Sequence, residues 1–276
     1  MVDYSKVAVV IPTLNESASI IYVIEELIGL GITPANIIMV DGRSTDDTVA
    51  QVEKAFNGSI RIVNVQAKGK GIAMRAGYLS LLMNERKHPI DYVFCMDADF
   101  TYPAMAISKA IEGMEQKCHP KFDVAIMVRL PMQGAMPWLN MVANRVINLC
   151  ANWAFPSKFK ENKDGSVTMD INQKIKDVCS GLWGFRWSVF DEQIRPCLVS
   201  TGFTIEAEYF CLLKRLGIRF FQFRFVYRPR MGGVKKTKPI DVFHILRFII
   251  GYRKRRLEYK YFRLGNSTDD SLWEKI

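Results

Sequence analysis

The chain has 276 residues, of which 49% are hydrophobic, 24% charged and 12% aromatic, and its mean hydropathy is +0.01. This length fits one large α/β unit or one domain with an appendage, and this apolar content excludes a disordered, collagen-like or purely coiled-coil chain. The formal net charge is +10, yet twelve of the 38 Lys/Arg and only two of the 28 Asp/Glu (Asp241 and Glu258) fall between residues 228 and 263, which leaves a neutral body. The basic C-terminal segment predicts an anionic partner: lipid phosphate, a membrane surface or nucleic acid.

No apolar run is long enough to span a bilayer, and residues 7–11 follow Lys6 without a cleavage-type tail, so they read as a strand and not a signal peptide. The six cysteines, Cys95, Cys118, Cys150, Cys179, Cys197 and Cys211, are scattered and form no Cys-x-x-Cys pair. That is the usage of reduced core thiols, and it predicts a cytosolic chain with no structural zinc.

Continuous apolar or β-branched runs at 7–11, 37–40, 60–65, 92–96 and 124–128 predict buried parallel strands. Between them, 18–30, 45–56, 71–83 and 104–117 carry apolar residues at helical spacing. Strand-helix-strand repetition predicts an α/β fold, a parallel sheet with helices on both faces, whose ligands bind at the carboxyl ends of the strands. Beyond residue 130, segments 138–155 and 203–216 predict helices, and 156–176 a polar, exposed and mobile insertion. Phe221, Phe223 and Phe225 alternate with Gln222 and Arg224 within 219–227, the pattern of a half-buried strand. Residues 240–261 read as an amphipathic basic helix.

Asp97-Ala98-Asp99 directly follows the fourth strand. Two carboxylates flanking a small residue at a buried strand end need a cation, and oxygen-only ligands suit Mg2+ or Mn2+, which would also hold a diphosphate. A cap for the helix after Pro103 accounts for one such Asp and not for two. Pro12-Thr13-Leu14-Asn15-Glu16 follows the first strand and Asp41-Gly42-Arg43-Ser44-Thr45-Asp46-Asp47 the second. Asn15 and the 44–47 cluster have the chemistry of helix caps, whereas Glu16 and Asp41 stand where a nucleobase or ribose could donate to them. Lys68-Gly69-Lys70-Gly71 offers glycines for close backbone approach and lysines for phosphate, without being a Walker A loop or a G-x-G-x-x-G fingerprint.

In this order and spacing, these motifs resemble the family 2 glycosyltransferases of the GT-A fold, and more narrowly the dolichyl- and polyprenyl-phosphate mannosyl- and glucosyltransferases. The resemblance implies a nucleotide pocket lined by Pro12, Leu14, Glu16, Val40 and Asp41 with Lys70 and Gly71 beside it. It also implies a metal–diphosphate site at Asp97, Ala98 and Asp99. Thr101 stands where the family often has Gln, which leaves the third metal ligand open. For the acceptor, the resemblance points to Arg129 after the fifth strand, Arg145 and Asn148 in the following helix, and Ser180-Gly181 with Arg186. Arg230 and Lys235-Lys236 resemble a loop that closes over donor phosphate, with Lys235 in place of Ser.

The implied reaction is inverting transfer of mannose or glucose from GDP-mannose or UDP-glucose to a dolichyl or polyprenyl phosphate. A sugar hydroxyl would need a carboxylate base, but a lipid phosphate is already anionic at pH 7 and needs arginines to position it. No obvious base pair is present in the second half; Glu206 and Glu208 are the substitutes, Glu206 the better placed, and a glycan or small phosphorylated acceptor is the alternative. No DNA- or RNA-binding module is visible. The expected layout is a catalytic domain over 1–227, with a donor half to about residue 130 and an acceptor half over 131–227. A basic segment, 228–276, would follow. Its apolar residues and the 253–256 cluster suit either an interfacial helix on an anionic leaflet of the cytoplasmic membrane face or a helix packed on the domain.

Overall fold

The computed structural model describes residues 2–83, 89–115, 122–156, 160–161, 167–168, 174–234 and 236–254. Strands β1 (Val7–Thr13), β2 (Ile37–Asp41), β3 (Arg61–Asn64), β4 (Tyr92–Cys95) and β5 (Val124–Pro131) alternate with helices α1 (Ile20–Gly29), α2 (Thr48–Phe56), α3 (Lys70–Leu82) and α4 (Met105–Glu115). Then follow α5 (Trp138–Ala154), β6 (Trp183–Arg186), α6 (Ile205–Leu216), β7 (Phe220–Tyr227) and α7 (Pro239–Lys254). The seven strands form one sheet in the order β3-β2-β1-β4-β6-β5-β7. All pairings are parallel except those of β6, which runs antiparallel to both β4 and β5. The mostly parallel α/β sheet is the expected one, with one addition. Trp-Gly-Phe-Arg of β6 is too short to show a period and contains a glycine, so the sequence pattern did not reveal it.

Side chains alternate across a strand, and here both faces are covered. Ala8 and Val10 of β1 join α3, α5, α6 and α7 in one apolar layer, while Val7, Val9 and Ile11 join α1, α2 and α4 in the other. This two-sided burial is why the central strands are apolar without interruption. Because β1, β2, β4 and β5 share a direction, their carboxyl ends open onto one edge of the sheet.

In the segment beyond residue 227, helix α7 packs on this body. Ile245, Ile249 and Tyr252 of α7 are buried against it, and Arg215 Nη1 donates to the Tyr252 carbonyl at 2.9 Å. Ile240, Phe243 and Ile250 on the same helix remain exposed. No helix among the described residues is long and apolar enough to cross a membrane. Residues 255–276 of the basic segment, most of the insertion, Cys118 and Lys235 lie outside the described residues.

Candidate active site

Asp97 and Asp99 open into a cavity of about 870 Å³ at the carboxyl edge of the sheet. The turn that presents them holds Phe100 at φ +64°, a left-handed conformation that costs a non-glycine residue about 1–3 kcal/mol. Contacts hold it there: the Arg228 guanidinium lies 4.7 Å from the Phe100 ring, and Tyr22 meets that ring edge-on. Asp99 Oδ1 accepts from the backbone N–H of Thr101 at 3.2 Å and from its hydroxyl at 2.5 Å. Thr101 therefore orients Asp99. Asp99 Oδ2 accepts from Arg230 Nη1 at 3.0 Å. Burial and the Asp97 charge push the Asp99 carboxyl above its ordinary range, against the pull of Thr101 and Arg230.

Asp97 Oδ1 accepts from Lys70 Nζ at 2.5 Å, and the same ammonium pairs with Glu206 Oε1. Burial opposes the Lys70 charge, but the two carboxylates outweigh it and hold its pKa well above the ordinary value. Burial in turn raises Glu206, with Lys70 opposing. Behind Asp97 stands Gly181, where a Cβ would sit 2.0 Å from Oδ2. Ser180, expected at the substrate, is buried, and its hydroxyl exchanges 3.3 Å hydrogen bonds with the Leu182 backbone; it shapes the wall and does not line the cavity.

The glycine loop departs from expectation. A Cβ at Gly69, whose φ is +149°, would lie 2.2 Å from the Thr201 carbonyl oxygen, and one at Gly71 would lie 2.3 Å from that of Ser200. Gly71 N–H donates to Gly202 O at 3.2 Å and Ile72 N–H to Thr201 O at 3.1 Å. The glycines thus admit another stretch of chain, the N–H groups of Gly71 and Ile72 are bonded to it, and Gly71 does not line the cavity, whereas Lys68, Gly69 and Lys70 do. Buried Glu208 fixes that stretch by accepting from the N–H groups of Val199 and Ser200, a scaffold role.

From the first two loops, Pro12, Leu14, Glu16 and Gly42 line the cavity. Val40 packs in the core instead, and Asp41 accepts from the N–H groups of Arg43 and Ser44, both at 3.0 Å. Neither residue lines the cavity, and Asp41 supports the loop that carries Gly42. Asp46 performs the capping-type bond at α2, accepting from Thr48 N–H at 3.1 Å, and Asn15 accepts from Thr45 N–H at 2.7 Å. Glu16 pairs through Oε1 with Arg230 Nη2 and, at 3.5 Å, with Lys236 Nζ. Its Oε2 is buried and finds no donor among the described residues. Burial raises the Glu16 pKa, with Arg230 and Lys236 opposing.

The 228–238 loop lies across this edge, its Arg228 N–H donating to Thr101 O at 3.0 Å and its Met231 N–H to Asp99 O at 3.2 Å. Arg129 lines the cavity farther along, held by Asp177 through Nε at 2.8 Å and Nη2 at 2.6 Å, with its guanidinium 5.5 Å from the Tyr227 ring. Asn144 Nδ2 adds a 3.0 Å bond to Asp177. Asp177, Asn144 and Tyr227 were not singled out from the sequence, although Asp177 stands three residues before the Ser180-Gly181 pair of the family resemblance.

Two expected acceptor residues lie elsewhere. Arg145 is exposed on α5 and does not line the cavity. Arg186 sits at the opposite edge of the sheet, in register with Tyr92 at the start of β4, donating to the carbonyls of Phe122 (3.0 Å) and Met114 (2.9 Å) and pairing with Glu115 at 2.8 Å. Asn148 ties α5 to the 176–178 segment through Lys176 O and Val178 N–H.

A model of the family described as Glycosyl transferase family 2 matches residues 8–193. The chain belongs to glycosyl transferase family 2. Glycosyltransferase AglJ of Haloferax volcanii is 30% identical over 263 residues, covering 94% of this chain and 75% of that protein. Two structures of glucosyl-3-phosphoglycerate synthase from Mycobacterium tuberculosis, each at 17% identity, superpose over 90% of this chain and 78% of theirs. The complex with Mn2+, UDP-glucose and phosphoglyceric acid gives a TM-score of 0.61; that with Mn2+, UDP and glucosyl-3-phosphoglycerate gives 0.59. At that identity the likeness shows the shared GT-A fold.

In this family 2 glycosyltransferase the residues present fit a divalent ion. Asp97 and Asp99 each carry a cationic side chain as counter-charge, Lys70 and Arg230, where the family's metal would supply it. Among the described residues no third His, Cys, Asp or Glu completes a cluster, so donor phosphate oxygens and water would fill the other positions, as Mg2+ prefers.

Proposed function

We propose that this glycosyltransferase moves mannose or glucose from GDP-mannose or UDP-glucose to a polyprenyl or dolichyl phosphate, with inversion, at the cytoplasmic face of a membrane. The lining of the cavity carries this reading. Besides Asp97, Asp99 and Arg129 it includes Met136, Pro137, Ala143, Ile147, Val242 and Ile245, contributed by α5, the turn before it and α7. A cavity lined by both charged and apolar side chains matches a substrate with a phosphate head and a hydrocarbon tail.

Glu16 Oε2, buried and unpartnered, is an acceptor for a donor hydroxyl or base N–H. Arg230 and Lys236 bring cations to the same chamber for the donor phosphates. Mg2+ or Mn2+ at Asp97 and Asp99 would supply positive charge for the leaving diphosphate. Arg129, kept charged and oriented by Asp177, receives the acceptor phosphate. An oxygen of that phosphate attacks the anomeric carbon while the bond to the diphosphate breaks and its electron pair leaves with the diphosphate. The acceptor is already ionised, so no base is required, in keeping with Glu206 being buried and tied to Lys70. Outside the cavity, Trp138, Leu139, Leu149 and Trp153 of α5 and Phe243 of α7 are exposed, and Arg253 lies over the Trp153 ring, an apolar face with basic flanks suited to an anionic leaflet.

A small phosphorylated acceptor is the second reading, favoured by the fold shared with a synthase solved with phosphoglyceric acid. Arg129 would serve that phosphate equally well, and the apolar lining would then stand idle. Radiolabelled sugar transfer decides between them: product with polyprenyl phosphate and none with phosphoglycerate is expected, and the reverse result establishes the second reading.

A further inference from the structure

Lys70 is the first residue of α3, and its backbone has no freedom. Gly69 before it and Gly71 after it are pressed against the 200–202 stretch, and the N–H groups of Gly71 and Ile72 are bonded to it. Only the side chain can move. Its ammonium stands between Asp97, at 2.5 Å, and Glu206, in a setting where the Lys70 and Glu206 side chains are 15% and 9% exposed. Glu206 comes from the first turn of α6 and pairs with the Lys70 ammonium. A carboxylate there, too buried to stand alone, gives the ammonium a second place to rest.

We propose that Lys70 is a built-in counter-cation of Asp97, holding that carboxylate until a divalent ion arrives and then withdrawing onto Glu206 and the donor phosphates. The proposal rests on reading Asp97 and Asp99 as the metal site. A carboxylate oxygen gripped at 2.5 Å by an ammonium is a poor ligand, because a second cation meets both a filled lone pair and like-charge repulsion. Lys70 therefore competes with the metal while assisting the nucleotide. Its two effects thus have opposite signs.

The test measures Mn2+ binding by electron paramagnetic resonance, without nucleotide, on wild type, Lys70→Met, Lys70→Gln, Asp99→Ala and Glu206→Gln, with circular dichroism to verify folding. Lys70→Met and Lys70→Gln should each bind Mn2+ about tenfold more tightly, the ratio equivalent to about 1.4 kcal/mol. In the presence of saturating Mn2+ the same variants should bind UDP and GDP more weakly. Glu206→Gln should weaken Mn2+ binding, and that effect should shrink in the Lys70→Met background, the coupling expected if Glu206 acts through Lys70. If wild type binds Mn2+ and Asp99→Ala does not, but both Lys70 variants bind it equally or less well, the proposal is wrong while the metal site stands. No Mn2+ binding by wild type or by either Lys70 variant removes both.

Discussion

Asp177 grips Arg129 with both carboxylate oxygens and also accepts the Arg129 backbone N–H at 3.1 Å. The Asp177 side chain is 3% exposed and that of Arg129 12%, so the pair is a buried one whose partners depend on each other. Asp177→Ala should cost about 3–5 kcal/mol of stability by stranding the arginine charge. Asp177→Asn, which keeps the volume, should raise the acceptor KM and leave donor binding unchanged. Arg129→Met should lower kcat/KM for the acceptor about 100-fold, equivalent to about 2.7 kcal/mol. Steady-state kinetics with each substrate varied in turn provide the measurement.

Metal dependence is tested by chelation. Enzyme treated with EDTA should lose its activity and regain it with Mn2+ or Mg2+, and Asp99→Ala should lose most activity under any ion. Full activity in Asp99→Ala would remove the assignment.

Arg230 spans Glu16 and Asp99, two acids on different loops, and so couples the 228–238 loop to the donor chamber. Arg230→Ala should raise the donor KM about tenfold and reduce the thermal shift a donor produces. A ligand present at 100 times its Kd stabilises the folded state by about 2.7 kcal/mol. A melting screen of GDP-, UDP- and dTDP-sugars with Mn2+ therefore identifies the donor and gauges the variant together.

The misplaced arginines make internal controls. Arg186→Ala removes bonds to two backbone carbonyls and an ion pair, and should lower stability by about 1–3 kcal/mol with substrate KM values intact. Arg145→Ala, at an exposed position, should change kcat/KM less than about twofold, within the range of surface substitutions. A large acceptor-specific defect in either variant contradicts these placements.

Membrane association predicts co-sedimentation with vesicles containing anionic lipid, through an attraction of about 1 kcal/mol per basic residue near the surface that added salt screens. Leu149→Ser combined with Trp153→Ser should release the protein from vesicles without unfolding it, because both side chains are largely solvent-exposed. Equal sedimentation with and without anionic lipid eliminates this surface as a docking face.

Much of this protein was legible in its sequence for one reason. In a sheet covered on both faces, strands are continuous apolar runs, and the polar residues directly after them must emerge at one edge. That logic placed Glu16, and Asp97 with Asp99, around a common chamber, to which the family resemblance added Pro12 and Leu14. It did not foresee the second use of a local motif: the glycines around Lys70 accommodate backbone 200–202, and Asp41 supports its own loop. Charge pairing was also invisible, since Arg129 finds Asp177 and Arg230 finds Glu16 only after the chain has returned across the sheet.

The sequence by itself determined the strand–helix alternation, the family and the acids at the strand ends, because burial periodicity and turn chemistry are local. Only the tertiary structure decided which cations reach those acids. β6 enters antiparallel between β4 and β5, so Gly181 before it backs Asp97 while Arg186 at its end is delivered to the far edge of the sheet. Strand direction is a property of pairing between distant segments, and no local pattern encodes it.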